Sequence, residues 1–279
     1  MVRRNSQHGH PHIIMKLSAA FSILLALRAM IQVAFMPTFY AVLGSPSVLL
    51  RPRVISRIFM AKLWIVFGNG VDENSRAIKQ QLITPNAYGV VLDIGAGYGH
   101  TANYLDKSRV MRYIALEPNT EMHSGLRSLA NAAGFKESDG TLLILSCGAQ
   151  DIASIVSYIN EYSVDTLVSI LTICSIPSPE NTLTDIVSRV LKPGGQLLLY
   201  EHVLSSLPDV AWWQRFWTPI WSLVVDGCRL DCPTELWLAR MENEDGGGMW
   251  SEKSFWAEEE ESGEQLLYHR SGKLVKHLI

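Results

Sequence analysis

Hydrophobic and polar positions divide the chain into two regions with different periods. From Ile13 to Met36 the residues are apolar except for Lys16 near the start and a stripe formed by Ser18, Ser22, Arg28 and Gln32. At about 100° per residue these four fall within an arc of roughly 120°, as in a helix lying in a membrane interface with its polar stripe up. Pro37 is expected to break that helix, and the charge-free stretch "TFYAVLGSPSVLL" continues to Arg51 as a re-entrant or hairpin-like monotopic anchor; a cleaved signal peptide is the rival, disfavoured by the long apolar region without a clear small-x-small site before the proline. "RPRVISRIFMAKLWIVF" then reads as a second basic, apolar helix that presses on lipid or covers a substrate entrance.

Beyond "ITPNAYG" the pattern changes to short apolar runs separated by amphipathic segments. Strands are expected at 90–94, 112–116, 141–146, 165–171, 196–202, 249–256 and 266–277. Helices are expected at 99–107, 119–133, 149–161, 180–191 and 209–225. This strand–helix alternation predicts an α/β fold with a doubly wound, seven-stranded, mostly parallel sheet, Rossmann-like in its winding. The boundary falls after residue 71: a basic, apolar segment over 1–71 and an α/β domain over 72–279.

Charge sharpens the division. The net charge is only −3, but residues 1–71 hold eight basic side chains and no acidic one, while the rest holds all 27 acidic residues. Basic charges flanking apolar runs fit an anionic membrane surface and argue against a nucleic-acid partner. Cys147, Cys174, Cys228 and Cys232 are too few and scattered for a disulfide framework. Cys228 and Cys232 have metal-like spacing, but no second Cys or His pair follows, so no metal site is expected. His8, His10 and His12 read as a polar start. Glu258–Glu261 reads as a solvated loop.

In a doubly wound sheet, ligands sit beyond the carboxyl ends of the strands. The first strand ends in Asp93, Gly95, Gly97 and Gly99. A dinucleotide fingerprint would need its third glycine at position 100, where His100 stands, and this disfavours a dehydrogenase. The glycines let backbone approach a ligand, and Asp93 can accept from an ammonium or fix the loop. Glu117, closing the second strand, can receive both hydroxyls of a ribose. After the third strand, Gly148, Ala149 and either Gln150 or Asp151 can read an adenine edge. The fourth strand delivers no charged group, whereas the fifth delivers Glu201 and His202.

"LDIGAGYG", "ALEP" and "LKPGGQLLLYEHV" in this order resemble class I S-adenosylmethionine-dependent methyltransferases. "WWQRFWTPIWSLVVDGC", with the anchor before it, is similar to the membrane-associated methyltransferase-like-seven group. The resemblance implies S-adenosylmethionine as cofactor and a small apolar acceptor, a thiol in that group. It also implies attachment to the cytosolic face of the endoplasmic reticulum or lipid droplets. A secondary-metabolite tailoring step would have the same signature, and a membrane-tethered scaffold or cyclase holding S-adenosylmethionine without methyl transfer is the alternative. His202 is expected as general base, with Asp226 and Glu201 behind it, because histidine titrates near neutral pH. Trp213, Trp217 and Trp221 recur at helical spacing, and some of these rings are expected to wall the acceptor pocket.

Overall fold

The computed structural model describes residues 17–243, 245–257 and 263–278, so the histidine-rich start and Glu258–Glu261 lie outside the described residues. The chain begins with α1 (Leu17–Ala20), α2 (Ser22–Gly44), α3 (Pro52–Asn74) and α4 (Arg76–Leu82). Then follow β1 (Gly89–Ile94), β2 (Val110–Leu116), α5 (His123–Ala132), β3 (Leu142–Leu145), α6 (Ile152–Ile159), β4 (Val164–Ile170) and α7 (Pro179–Arg189). The last elements are β5 (Leu191–His202), α8 (Pro208–Val224), α9 (Thr234–Arg240), β6 (Trp250–Trp256) and β7 (His269–Lys276).

The seven strands form one sheet in the order β3-β2-β1-β4-β5-β7-β6. The first five are parallel, and β7 pairs antiparallel with both β5 and β6. Alternating side chains of β1 serve two cores. Leu92 and Ile94 pack with Ile114, Leu116, Ile155 and Leu183 on one face; Val91 packs with Tyr113, Leu126, Phe135 and Val168 on the other. Burial on both faces explains why these strands read as continuous apolar runs. Strand order reverses between β1 and β4, and a doubly wound sheet opens its ligand crevice at that point.

Two expected elements differ. The chain after Gly99 forms a 3-10 helix over His100–Tyr104, not a helix to residue 107, and Leu105 is already extended. Pro37 does not end the first long helix: α2 runs through it to Gly44. Proline's fixed φ suits a helix, and the missing amide rung and the ring's crowding of the carbonyl one turn back are outweighed by the packing of α2 against α3. The chain then turns through a 3-10 helix over Pro46–Leu50 into α3, which runs across the 71/72 boundary.

α1, α2, α3 and α8 share a third apolar core. Ile23, Leu27, Met30 and Ala34 of α2 meet Phe59, Met60 and Leu63 of α3 and Trp217 and Trp221 of α8.

Candidate active site

β1 stops at Ile94 and the backbone enters left-handed conformations at Gly95 (φ 69°), Gly97 (φ 55°) and Gly99 (φ 85°). A Cβ at Gly95 would lie 2.2 Å from Thr172, and one at Gly99 would crowd the backbone of Leu126. At Gly97 the added atom would meet nothing within 4 Å, because that position opens onto the cavity. The loop is thus held on two sides and bare on the third.

Glu117 at the end of β2 is buried and lines the same cavity. One carboxylate oxygen accepts from the amide of Gly97 at 2.8 Å, the other from the amide of Asn119 at 2.7 Å. Burial raises its pKa and these two amides counter the shift. Each oxygen retains a further acceptor position, so the carboxylate can still receive a pair of ligand hydroxyls. Gly148, Ala149 and Gln150 line the cavity beside it. Asp151 instead caps α6, its carboxylate accepting from the amide of Ser154 at 3.1 Å.

Asp93 lies beneath the loop and outside the cavity wall. It is 1% exposed and accepts a hydrogen bond from the Tyr113 hydroxyl at 2.7 Å. Burial pushes its pKa up to about 6 despite hydrogen bonds from Tyr113 and Thr101. Its place fits fixing the loop.

The cavity has a volume of about 1420 Å³. Pockets for one small ligand occupy roughly 300–1,000 Å³, so this one has space for two molecules side by side. At the glycine end, α3, α4 and the loop bring together a polar cluster that sequence spacing does not show. Lys79 and Asp72 form a buried ion pair at 2.6 Å, Tyr104 donates to Asp72 at 2.9 Å, and His100 Nδ1 lies 3.7 Å from the other Asp72 oxygen. Asp72, Lys79 and His100 all line the cavity, and burial lowers the pKa of His100.

The far end lies between α3 and α8. Ser56 Oγ donates to the carbonyl of Val224 and accepts from the amide of Asp226, tying the two helices together. Asp226, itself at φ 42°, lines this end with its pKa raised by burial, and Arg57 Nε stands 3.8 Å from it.

α8 presents to the cavity Arg215, Thr218, Pro219 and Ser222, not the expected tryptophans. Trp217 and Trp221 are buried in the third core, where Trp217 Nε1 donates to the carbonyl of Ala20 at 2.9 Å. Trp213 packs edge-on against Phe21. The apolar stripe seeks the apolar neighbour that α1 and α2 supply, leaving the adjacent stripe for the cavity.

His202, expected as general base, is buried behind the cavity wall, with Nε2 3.2 Å from Cys228 Sγ. Glu201 is also enclosed, accepting from Ser169 Oγ at 2.8 Å and the amide of Thr172 at 2.9 Å. The β5 terminus turns both side chains into the wall because the loop after β4 and the turn after α8 cover it. Asp226 is thus the expected catalytic residue that reaches the cavity.

A methyltransferase-domain profile matches residues 70–255, more than half of the chain. The human thiol S-methyltransferase TMT1A is 26% identical over 179 residues, 62% of this chain and 68% of that protein. Thiol S-methyltransferase TMT1B of Rattus norvegicus is 45% identical over 69 residues, but these are only 24% of this chain and 28% of that protein. Among solved structures, the complex between the Haloferax volcanii Trm112 methyltransferase activator and a putative methyltransferase superposes with a TM-score of 0.53. That match has 17% identity and covers 77% of this chain and 96% of the other. The chain therefore belongs to the methyltransferase-domain family, as an S-adenosylmethionine-dependent class I member distantly related to the thiol S-methyltransferases.

Proposed function

We propose that this chain works at a membrane surface and transfers the methyl group of S-adenosylmethionine to a heteroatom of a small lipophilic molecule, a thiol sulfur first. The observation that carries this reading is the continuity between the cavity and an apolar outer surface. Leu223 of α8 lines the cavity and is 66% exposed, and Trp212, Phe216 and Ile220 continue the exposed strip along the same helix. α2 adds Leu24, Leu25, Phe35, Met36, Phe39 and Tyr40, all exposed. Contiguous apolar surface on this scale calls for a covering, and Arg28, Arg51, Arg53 and Arg57 beside it favour anionic lipid.

α2 and α3 are each long and apolar enough to cross a membrane by length and composition. α3, however, carries Met60, Trp64 and Asp72 to the cavity and so stays with the body. α2 is the element that enters the membrane interface. The cytosolic face of the endoplasmic reticulum or lipid droplets follows from the family resemblance.

The cofactor, when bound, supplies a sulfonium-activated methyl, and the chain's residues need chiefly to hold two reactants in line. Glu117 receives the ribose hydroxyls, Gly97 leaves room for backbone approach, and Gly148, Ala149 and Gln150 border the base. Lys79, Asp72 and a neutral His100 offer charge and hydrogen bonds at the amino-acid end. At the other end Met60, Pro219 and Leu223 exclude water, while Asp226 accepts a hydrogen bond from the acceptor's S–H or O–H, orients its lone pair and takes up its proton as the methyl is transferred.

Detergent-purified protein incubated with labelled S-adenosylmethionine and a panel of thiols, amines and phenols tests the reading. Labelled lipophilic thiol is the expected product. Label on nitrogen or oxygen alone would reject sulfur, and label on none, with calorimetry showing the cofactor bound, would leave the scaffold alternative. Glu117→Ala should weaken cofactor binding at least tenfold, the loss of about 1.4 kcal/mol expected for charge-assisted hydrogen bonds.

A further inference from the structure

Behind the cavity wall, three elements distant in sequence bring soft donors together. Cys174 lies in the short 3-10 helix after β4, His202 ends β5, and Cys228 follows α8. Cys174 Sγ is 3.4 Å from Cys228 Sγ, His202 Nε2 is 3.2 Å from Cys228 Sγ, and the three ligand atoms all lie within 4.8 Å of one another. All three residues are buried, and all four cysteines are free thiols. We propose that Cys174, His202 and Cys228 form a structural site for a thiophilic divalent cation, zinc by the chemistry of the donors.

Donor type and spacing support this assignment. Two sulfurs and an imidazole nitrogen match the borderline-soft preference of zinc and offer nothing suited to magnesium or calcium. With metal–sulfur bonds of about 2.3 Å and a metal–nitrogen bond of about 2.0 Å, a tetrahedral ion would hold its ligand atoms roughly 3.5–3.8 Å apart. The observed 3.4 and 3.2 Å need to open by only a few tenths of an ångström. A disulfide would require the sulfurs to close to about 2.05 Å, a larger movement in the opposite direction.

One further contact fits a ligand at this point. Trp221 Nε1 donates to Cys228 Sγ at 3.2 Å, the kind of outer contact that steadies a ligating thiolate.

Binding forms two metal–sulfur bonds and one metal–nitrogen bond, keeps one water of the hydrated ion in the fourth tetrahedral position, and releases one proton from each thiol to solvent, leaving the cluster electrically neutral. The ion would staple the β4 exit, the β5 end and the α8 exit. Thr172, Ser175, Val225 and Asp226, adjoining the two cysteines in sequence, line the cavity, so the staple fixes its floor. This inference does not depend on the identity of the acceptor.

Full-length protein, produced with zinc in the medium and purified without chelator, should carry about one zinc per chain by elemental mass spectrometry. Cys228→Ser and His202→Ala should each lower that content at least tenfold, while Cys147→Ser, outside the cluster, should retain it. Because the first two variants can misfold, the unaltered chain provides a second readout. After chelation, zinc titrated against a chromophoric competitor should be taken up, and cobalt should give a thiolate-to-metal absorption band. Alkylation followed by peptide mapping should find Cys174 and Cys228 protected with zinc and labelled without it. Absence of zinc at isolation together with absence of uptake or protection overturns the proposal. So does a Cys174–Cys228 disulfide in the peptide map of the isolated protein, which would make the pair redox-active.

Discussion

α2 and α3 are each 23 residues long, and either would pass for a membrane span. Their surroundings separate them. α2 buries one narrow stripe, Ile23, Leu27, Met30, Ala34 and Thr38, and exposes most of its other apolar side chains. α3 is interrupted by polar residues placed where the body needs them: Ser56 ties it to α8, the Arg57 carbonyl accepts from Asn119, and Asp72 pairs with Lys79. Length and apolarity alone therefore do not distinguish a membrane-facing helix from one wall of an active site. The partners of the polar residues do.

The comparison is most sharply tested at Asp72. Asp72→Ala would leave the Lys79 ammonium, 4% exposed, without its counter-ion, and a loss of about 3–5 kcal/mol in denaturant unfolding is expected. A negligible loss would mean that Lys79 reaches water and that α3 is not locked to the body. Trp217→Ala should cost about 3 kcal/mol, because the indole fills the core shared with α2 and donates to Ala20. Its calorimetric affinity for S-adenosylmethionine should remain within about twofold of the unaltered chain. A large loss of affinity would return the ring to the pocket.

Asp93 adds a pH dependence to the body. Its folded pKa of about 6 stands above the ordinary 3.8, chiefly through burial, with Glu117 adding to the rise and Tyr113, Thr101 and Lys79 opposing it. The group's stabilising contribution is therefore complete below the unfolded pKa and fades as pH rises through the folded one. Between about pH 5 and about pH 8 the unaltered chain should lose about 1–2 kcal/mol from this group. Asp93→Asn should remove that part of the slope in cofactor-free thermal melts. Parallel melting curves for the two proteins would rule out a buried, titrating Asp93.

The smallest effect on stability is expected on α2. Replacing exposed Leu25, Phe35, Tyr40 and Leu43 with serine should change stability by no more than about 0.5 kcal/mol per site. Flotation with anionic vesicles should nevertheless fall at least tenfold, since each apolar side chain withdrawn from lipid forfeits about 1.5 kcal/mol or more. Unchanged flotation would move the contact to α8, with Trp212 and Phe216 as the next residues to replace.

The sheet and the cofactor end of the site could be read from the sequence because both are written locally. Short apolar runs marked all seven strands to within a few residues, and glycines with Glu117 at consecutive strand ends marked the crevice. Pro37 does not end α2 because its fixed φ fits a helix and the packing of α2 against α3 outweighs the lost rung and the crowded carbonyl, a tertiary effect. The tryptophans of α8 were recognisable as an apolar stripe, but periodicity says which residues share a face, not what that face meets. Asp72 and Lys79 meet His100 only because α3 folds over the glycine loop. Cys228, whose sequence neighbour Cys232 offered only half a metal motif, meets Cys174 and His202 only because three separate segments close on one point. Local hydrogen-bond geometry and burial on both faces of a strand act within a few residues and so are visible in the chain. Which side chains from distant elements share one buried space is decided by packing, and only the tertiary structure records it.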